Sequence, residues 1–315
     1  MHPQVIRRAA ALLAGCALAA GPAGCGSPQP AGPPAVSAAM ADLATASGGW
    51  PAGSARLQAA FDRLDRACLG RAGFHLPPAA AAVPPSPDDE AAVIDLTGRA
   101  RDGYGITAAA GPVAPPAADG YPAALPPQDR ARFADAQFGR GAPKAAVPLR
   151  GASSATVPAG GCVAAARKQL GGSLRDWARI DYVPQLLADA TLHAATRDPG
   201  WADVLAGWRA CMRGGGHAYP TPEAAVAALR REYAAGAAGP AFRAREIAVA
   251  VADGRCQART HLPAALLRLR RQETARLPAS DLRLLAEVTA EWQSALARAT
   301  RALPPPGSVR AAGPP

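Results

Sequence analysis

The sequence predicts a mainly α, multi-helix exported domain in two disulfide-stapled units, with one small β-hairpin near 145–159. Three observations predict it. Apolar residues recur at spacings of three and four along most of the chain, the period of a helix with one buried face. Serine, threonine or aspartate followed directly by proline recurs at the start of such stretches, and this pair caps and opens helices. Strand-forming residues are scarce, with aromatics only 5% of the chain.

The first element is a leader. MHPQVIRR sets Arg7 and Arg8 ahead of the apolar run AAALLAGCALAAGPAG, the layout of a secretory signal peptide over residues 1–24. That run is shorter than the roughly 20 residues a membrane-spanning helix needs, and no later stretch comes closer. Its end, Gly21-Pro22-Ala23-Gly24-Cys25-Gly26-Ser27, resembles the bacterial lipoprotein processing site, where a cysteine is acylated and becomes the new N-terminus. Leu13-Ala14-Gly15-Cys16 competes with it and carries the leucine that Pro22 replaces. Cleavage before Cys16 would leave a very short apolar core and strand Cys25 as an odd thiol. Cleavage before Cys25 leaves an even set of four cysteines. Cys25 is therefore the expected lipidation site, with the bilayer as partner through an N-terminal acyl anchor. Ordinary cleavage after a small residue, giving a soluble secreted protein, is the alternative.

From Cys25 to Gly53 the chain is rich in Ala, Pro, Gly and Ser, and is expected to be a disordered tether because it has little apolar surface to bury. A first helical unit is expected over 54–196. Leu57, Phe61, Leu64 and Cys68 share one helix face, Ser86-Pro87-Asp88-Asp89-Glu90 is a helix start, and PPQDRARFADAQFG is a short helix. Ala145 to Arg150 and Ala155 to Ala159 flank Gly151-Ala152-Ser153-Ser154 as a hairpin whose Pro148 and Pro158 make both strands edges. Ser153 and Ser154 are read as turn formers. A second helical unit is expected over 197–304. Asp198-Pro199 opens a stripe of Trp201, Leu205, Trp208 and Met212. Thr221-Pro222-Glu223 opens Val226, Leu229 and Tyr233. A last helix presents Leu285, Val288, Trp292, Leu296 and Leu303. Residues 305–315 are expected to be a disordered tail.

Two segments repeat one register. RACLGRAGFHLP (Arg66 to Pro77) and RACMRGGGHAYP (Arg209 to Pro220) both place glycine five residues after the cysteine and proline nine after it. Glycine there suits the left-handed residue that ends a helix, and the proline then prevents an immediate restart. Such an end brings Phe74 onto Leu69 and His217 onto Met212. Each segment is followed by one cysteine in a helical context, Cys162 and Cys256. Exported thiols meet an oxidising compartment and tend to pair. Four cysteines allow three pairings, and the repeated register selects Cys68 with Cys162 and Cys211 with Cys256.

Over Trp208 to Cys256, the Cys-Met-Arg segment, glycine, proline and later helical cysteine resemble a group of exported actinobacterial, Streptomyces-like lipoproteins of unknown function. The match is looser over Arg66 to Cys162. The resemblance implies an envelope-anchored helical protein and carries no catalytic residues with it.

Metal binding is the competing account of the cysteines. Histidines follow Cys68, Cys211 and Cys256 at His75, His217 and His261, in three different registers, without the tight pairs of structural zinc sites. No metal or cofactor is expected, and the chain lacks the G-x-S-x-G, H-E-x-x-H, Walker and G-x-G-x-x-G motifs. The formal net charge is +10, yet Lys144 and Lys168 are the only lysines among 34 basic residues. Arginine is scattered rather than gathered on one aromatic-bearing face, so no specific nucleic-acid function follows. The densest patch, Arg268, Arg270 and Arg271, reads as a solvated helix face, with anionic envelope polymers or lipid heads as the other reading.

Two carboxylate sets remain. Glu287 and Glu291 flank the Leu285/Val288/Trp292 stripe and are expected to be solvated. Glu246 lies in register with Phe242, Val249 and Cys256, with Asp253 seven residues beyond. A carboxylate on that face is either ion-paired, with Arg209 or Arg213 as the expected partner, or an acid with a raised pKa of the kind that performs general acid catalysis. The sequence thus points to a non-catalytic binding or structural protein of the cell envelope, with a small ligand, a wall polymer or another envelope protein as its partner. The alternative is an extracytoplasmic acid/base enzyme using Glu246 and Asp253.

Overall fold

Twelve helices and one hairpin make up the described part of the chain, a computed structural model covering residues 32–77, 94–107 and 117–303. The leader, Cys25, the helix start at Ser86 and the tail 305–315 lie outside the described residues. In order the helices are α1 (Ala38–Thr45), α2 (Trp50–Arg71), α3 (Leu96–Asp102), α4 (Ala117–Ala124), α5 (Pro127–Phe138), α6 (Gly161–Gly171), α7 (Leu174–Ala195), α8 (Pro199–Gly214), α9 (Pro222–Ala234), α10 (Gly239–Thr260), α11 (Leu262–Ala275) and α12 (Ala279–Ala302). The hairpin is β1 (Lys144–Pro148) with β2 (Ser154–Pro158), antiparallel, with Val147 opposite Ala155 and both prolines at strand ends.

The cap signals act as the sequence requires. The Asp198 side chain accepts from Gly200 N at 2.8 Å, and Thr221 accepts from Ala224 N at 3.1 Å. Each satisfies one of the amide donors left open at a helix start. At the other end of α2 and α8, Gly73 and Gly216 take φ values of +90° and +81°. The amides that follow them, Phe74 N and His217 N, reach back to Leu69 O and Met212 O, both at 2.9 Å. The two helices therefore end in the same way.

The segment between Ala38 and Thr45 departs from the expected tether. It is α1, capped by Ser37 and buried along Met40, Leu43 and Ala44. Its alanines, poor in surface to bury, permit close packing of α1 against α7, α11 and α12. Low apolar content was the wrong measure there, because small residues in a close helix contact lose little area yet pack densely.

Two main cores hold the fold. One gathers Met40, Leu43, Leu57, Leu170, Trp177, Leu187, Leu285 and Trp292, from α1, α2, α6, α7 and α12. The other gathers Ile106, Trp201, Trp208, Met212, Leu229, Phe242, Val249 and Leu262, chiefly from α8 to α11. The boundary expected at 196/197 does not divide them. Helix α12 belongs to the first core, and the segment around α3 packs onto α10 in the second. A stripe of apolar residues announces that a helix face is buried, but not which helices cover it. All described residues from Pro33 onward belong to one compact unit.

The disulfides are Cys68–Cys162 and Cys211–Cys256, with Cα separations of 5.6 and 5.7 Å. The first joins the end of α2 to the start of α6, beside a small cluster of Leu69, Phe74 and Phe133. The second joins the end of α8 to the last turns of α10. Both fit an oxidising, extracytoplasmic compartment. No helix among the described residues is long and apolar enough to cross a membrane.

Candidate functional site

Helix α10 places Glu246 and Asp253 on its buried face, as their register requires, with exposures of 0% and 1%. Neither is paired with Arg209 or Arg213. Arg209 instead donates to Pro220 O at 2.8 Å. Glu246 is gripped by the turn after α3. Its Oε1 accepts from Tyr104 N (3.0 Å) and Ile106 N (2.7 Å), and its Oε2 from Thr107 N (3.1 Å) and Thr107 Oγ1 (2.9 Å). Gly103, at φ +65°, makes this approach possible, since a Cβ there would stand 2.9 Å from Glu246 Cγ and Oε1.

Asp253 collects a second set of donors. Trp208 Nε1 and Gln257 Nε2 reach Oδ1 at 2.9 and 3.0 Å, while Arg99 NH1 and Tyr104 OH each reach Oδ2 at 2.9 Å. Burial, and the Asp253 charge beside it, push the Tyr104 hydroxyl far above its usual range, so it stays a donor. The two carboxylates thus bolt the α3 segment to α8 and α10. Their oxygens are saturated with donors and shut from solvent, and neither lines the clefts bordered by Trp177, Tyr182, Arg230 or Phe138. A general acid or base must reach a substrate proton, and these two have no face on which to do so.

The backbone amides that hold Glu246 were invisible in the sequence, because any residue supplies an N–H. The available signal was the turn Asp102-Gly103-Tyr104-Gly105, with both glycines at positive φ. Glu287 is solvated as expected, its side chain 61% exposed, whereas Glu291 is half-buried at 21%. They clamp the buried Arg179 guanidinium at 2.7 and 3.2 Å, and burial raises the Glu291 pKa. In the basic patch, Arg271 bridges to Asp42 of α1 at 2.6 Å, and Arg270 reaches Ala188 O of α7 at 3.4 Å. Two of its three arginines therefore hold helices together. Among the described residues no three His, Cys, Asp or Glu side chains converge as a metal site.

A different place has the geometry of a binding site. Helices α2 and α7 both pack on α6 and α12, and between them opens a half-enclosed cleft of about 140 Å³. Helix α7 contributes Trp177, Asp181 and Gln185, each four residues after the last and so on one stripe. Helix α2 contributes Trp50 and Gln58 by the same logic, and Trp292 of α12 completes the wall. The indole N–H groups of Trp50 and Trp177 are closed to solvent and have no acceptor among the described residues. The Asp181 pKa is raised by burial, and the charge of Arg167 partly offsets this. Trp292 packs in the first core, as its stripe predicts, and also borders the cleft; Trp50, Trp177 and Asp181 carry no signal of it in the sequence, since three distant helices contribute.

Comparison with known protein families, curated proteins and solved structures finds no match to this chain.

Proposed function

We propose that the chain is a non-catalytic envelope protein, exported by its leader, anchored through an acylated Cys25 and akin to the exported actinobacterial lipoproteins it resembles over Trp208 to Cys256. The observation that carries the reading is the pair of disulfides, Cys68–Cys162 and Cys211–Cys256, which use every cysteine downstream of Cys25. That leaves Cys25 as the one thiol of the processed chain free for a lipid. The even count would fail if processing occurred at Cys16. Its role is binding or scaffolding at the outer face of the membrane, with the tryptophan cleft as the concave feature that supports binding. An acid/base enzyme finds no support in Glu246 and Asp253, whose oxygens are occupied.

Metabolic labelling of cells with a palmitate analogue tests the anchor. Label is expected on the wild-type chain and absent from Cys25→Ala. An unlabelled wild type, or label that persists in Cys25→Ala, overturns it.

A further inference from the structure

We infer that the segment 94–107, which carries α3 and the turn after it, is an exchangeable strap. It lies in a groove of α8 and α10 as a bound peptide would, opens while those helices stay folded, and is replaced there by the same segment of a second copy of this chain. The inference goes beyond the envelope reading and needs neither the anchor nor the tryptophan cleft.

The groove and the strap divide the chemistry as receptor and ligand do. The groove supplies side chains fixed on two helices, Glu246, Asp253 and Gln257 from α10 and Trp208 from α8, none more than 8% exposed. The strap answers with the backbone amides of Tyr104, Ile106 and Thr107 and with the tips of Arg99, Tyr104 and Thr107. Arg243, also on α10, donates to Arg101 O at 3.0 Å. A glycine on each side lets the two surfaces meet. Gly254 lies inside α10, where glycine weakens a helix, and a Cβ there would stand 2.8 Å from Arg99 Cδ and 2.9 Å from Leu96 Cδ2. Gly103 of the strap gives the same room to Glu246.

What holds the strap is almost all polar. Ile106 is the only buried residue of 94–107, and Leu96 is 38% exposed. Hydrogen bonds contribute little net, because water takes the donors and acceptors when they part. The helices beneath are held instead by the apolar core around Trp208, Met212, Phe242 and Val249. Opening the strap therefore costs less than unfolding α8 or α10, which is the condition for a local opening. The open groove offers two carboxylates, and whatever refills it must bring a guanidinium to one and a turn of free amides to the other. The segment of a second copy does so by identity, with Arg99 for Asp253 and the turn Gly103-Tyr104-Gly105-Ile106-Thr107 for Glu246.

The test uses the full oxidised chain, with the strap of a second copy supplied as a fluorescein-labelled peptide, Ile94 to Thr107. In the wild type, hydrogen exchange at the Tyr104, Ile106 and Thr107 amides is expected to run roughly tenfold or more faster than at Trp208 and Val249. Gly103→Ala displaces the strap without touching the groove. That variant is expected to keep the helical circular dichroism of the wild type and to bind the peptide saturably, followed by anisotropy. The wild-type chain is expected to bind it roughly tenfold or more weakly, since its own strap fills the groove most of the time. A peptide carrying the same Gly103→Ala change is expected not to bind. Should the Gly103→Ala chain fail to fold, Arg99→Ala, also in the strap, takes its place. The inference is overturned if the three amides exchange no faster than those of the helices, or if the peptide fails to bind the strap variant. It is overturned equally if wild type and variant bind the peptide alike, or if the altered peptide binds as well as the unaltered one. Palmitate labelling of Cys25 changes none of these readings, so the anchor and the strap stand or fall separately.

Discussion

Arg209 donates through Nε to the carbonyl oxygen of Pro220 at 2.8 Å, and Arg66 makes the corresponding bond to Pro77 in the other copy of the segment, each spanning eleven residues. The repeated register is thus a complete structural unit. A helix carries a cysteine near its end, a left-handed glycine stops it, and an arginine two residues before the cysteine ties down the outgoing proline.

The glycines isolate one contribution to this unit. A Cβ at Gly73 or Gly216 would meet nothing within 4 Å, so substitution costs only backbone conformation. Gly73→Ala and Gly216→Ala are each expected to lower unfolding free energy by about 1–2 kcal/mol, the penalty of a left-handed L-residue. Urea denaturation of the oxidised chain measures it, and additive effects in the double variant would show that the two caps act independently.

Removing Glu246 should free the α3 segment. Glu246→Ala leaves three backbone amides and the Thr107 hydroxyl without their acceptor, and each buried unsatisfied donor costs about 1–3 kcal/mol. Hydrogen exchange at Tyr104, Ile106 and Thr107 is expected to accelerate well beyond that of the α8 and α10 amides. Unchanged protection at those three residues would refute the anchoring role.

Asp65 makes the fold less stable as pH rises. It is 8% exposed, and burial, with the neighbouring Asp62 charge, lifts its pKa from 3.8 to about 6 despite Arg66 and Arg167. Between those values the folded chain holds a proton that the unfolded chain has released. Its contribution is therefore fully present below the unfolded pKa and lost as pH climbs through about 6. Asp65→Asn is expected to stabilise the protein by on the order of 2 kcal/mol at pH 8 and by almost nothing at pH 4. Urea midpoints across that range decide it, and a benefit that grows toward low pH would contradict the assignment.

The disulfides close loops with sequence separations of 94 and 45 residues. In the chain-entropy model these contribute about 4.7 and about 4 kcal/mol. Replacing Cys211 and Cys256 together by alanine is expected to lower the unfolding free energy by about that second amount. Non-reducing peptide mapping checks the connectivity directly, and a peptide joining Cys68 to Cys211 or Cys256 would contradict it.

Much of this was legible in the chain alone, because it depends on neighbours in sequence. The helix starts at Asp198 and Thr221, the glycine stops at Gly73 and Gly216, and the hairpin around Gly151 are settled by local backbone chemistry. The cysteine pairing was legible for a related reason: the repeated register matches each helix-ending cysteine to one that follows it. The tertiary structure alone decided what each face meets. The burial of Glu246 and Asp253 followed from α10 periodicity, but their partners are backbone amides and side chains up to 154 residues away. The same holds for α12, whose stripe was evident yet packs on α2, α6 and α7. It holds also for the cleft, where Trp50, Trp177 and Trp292 come from three helices. Periodicity encodes the direction of a side chain relative to its own helix axis; its neighbours depend on where the other helices come to rest, which no local pattern records.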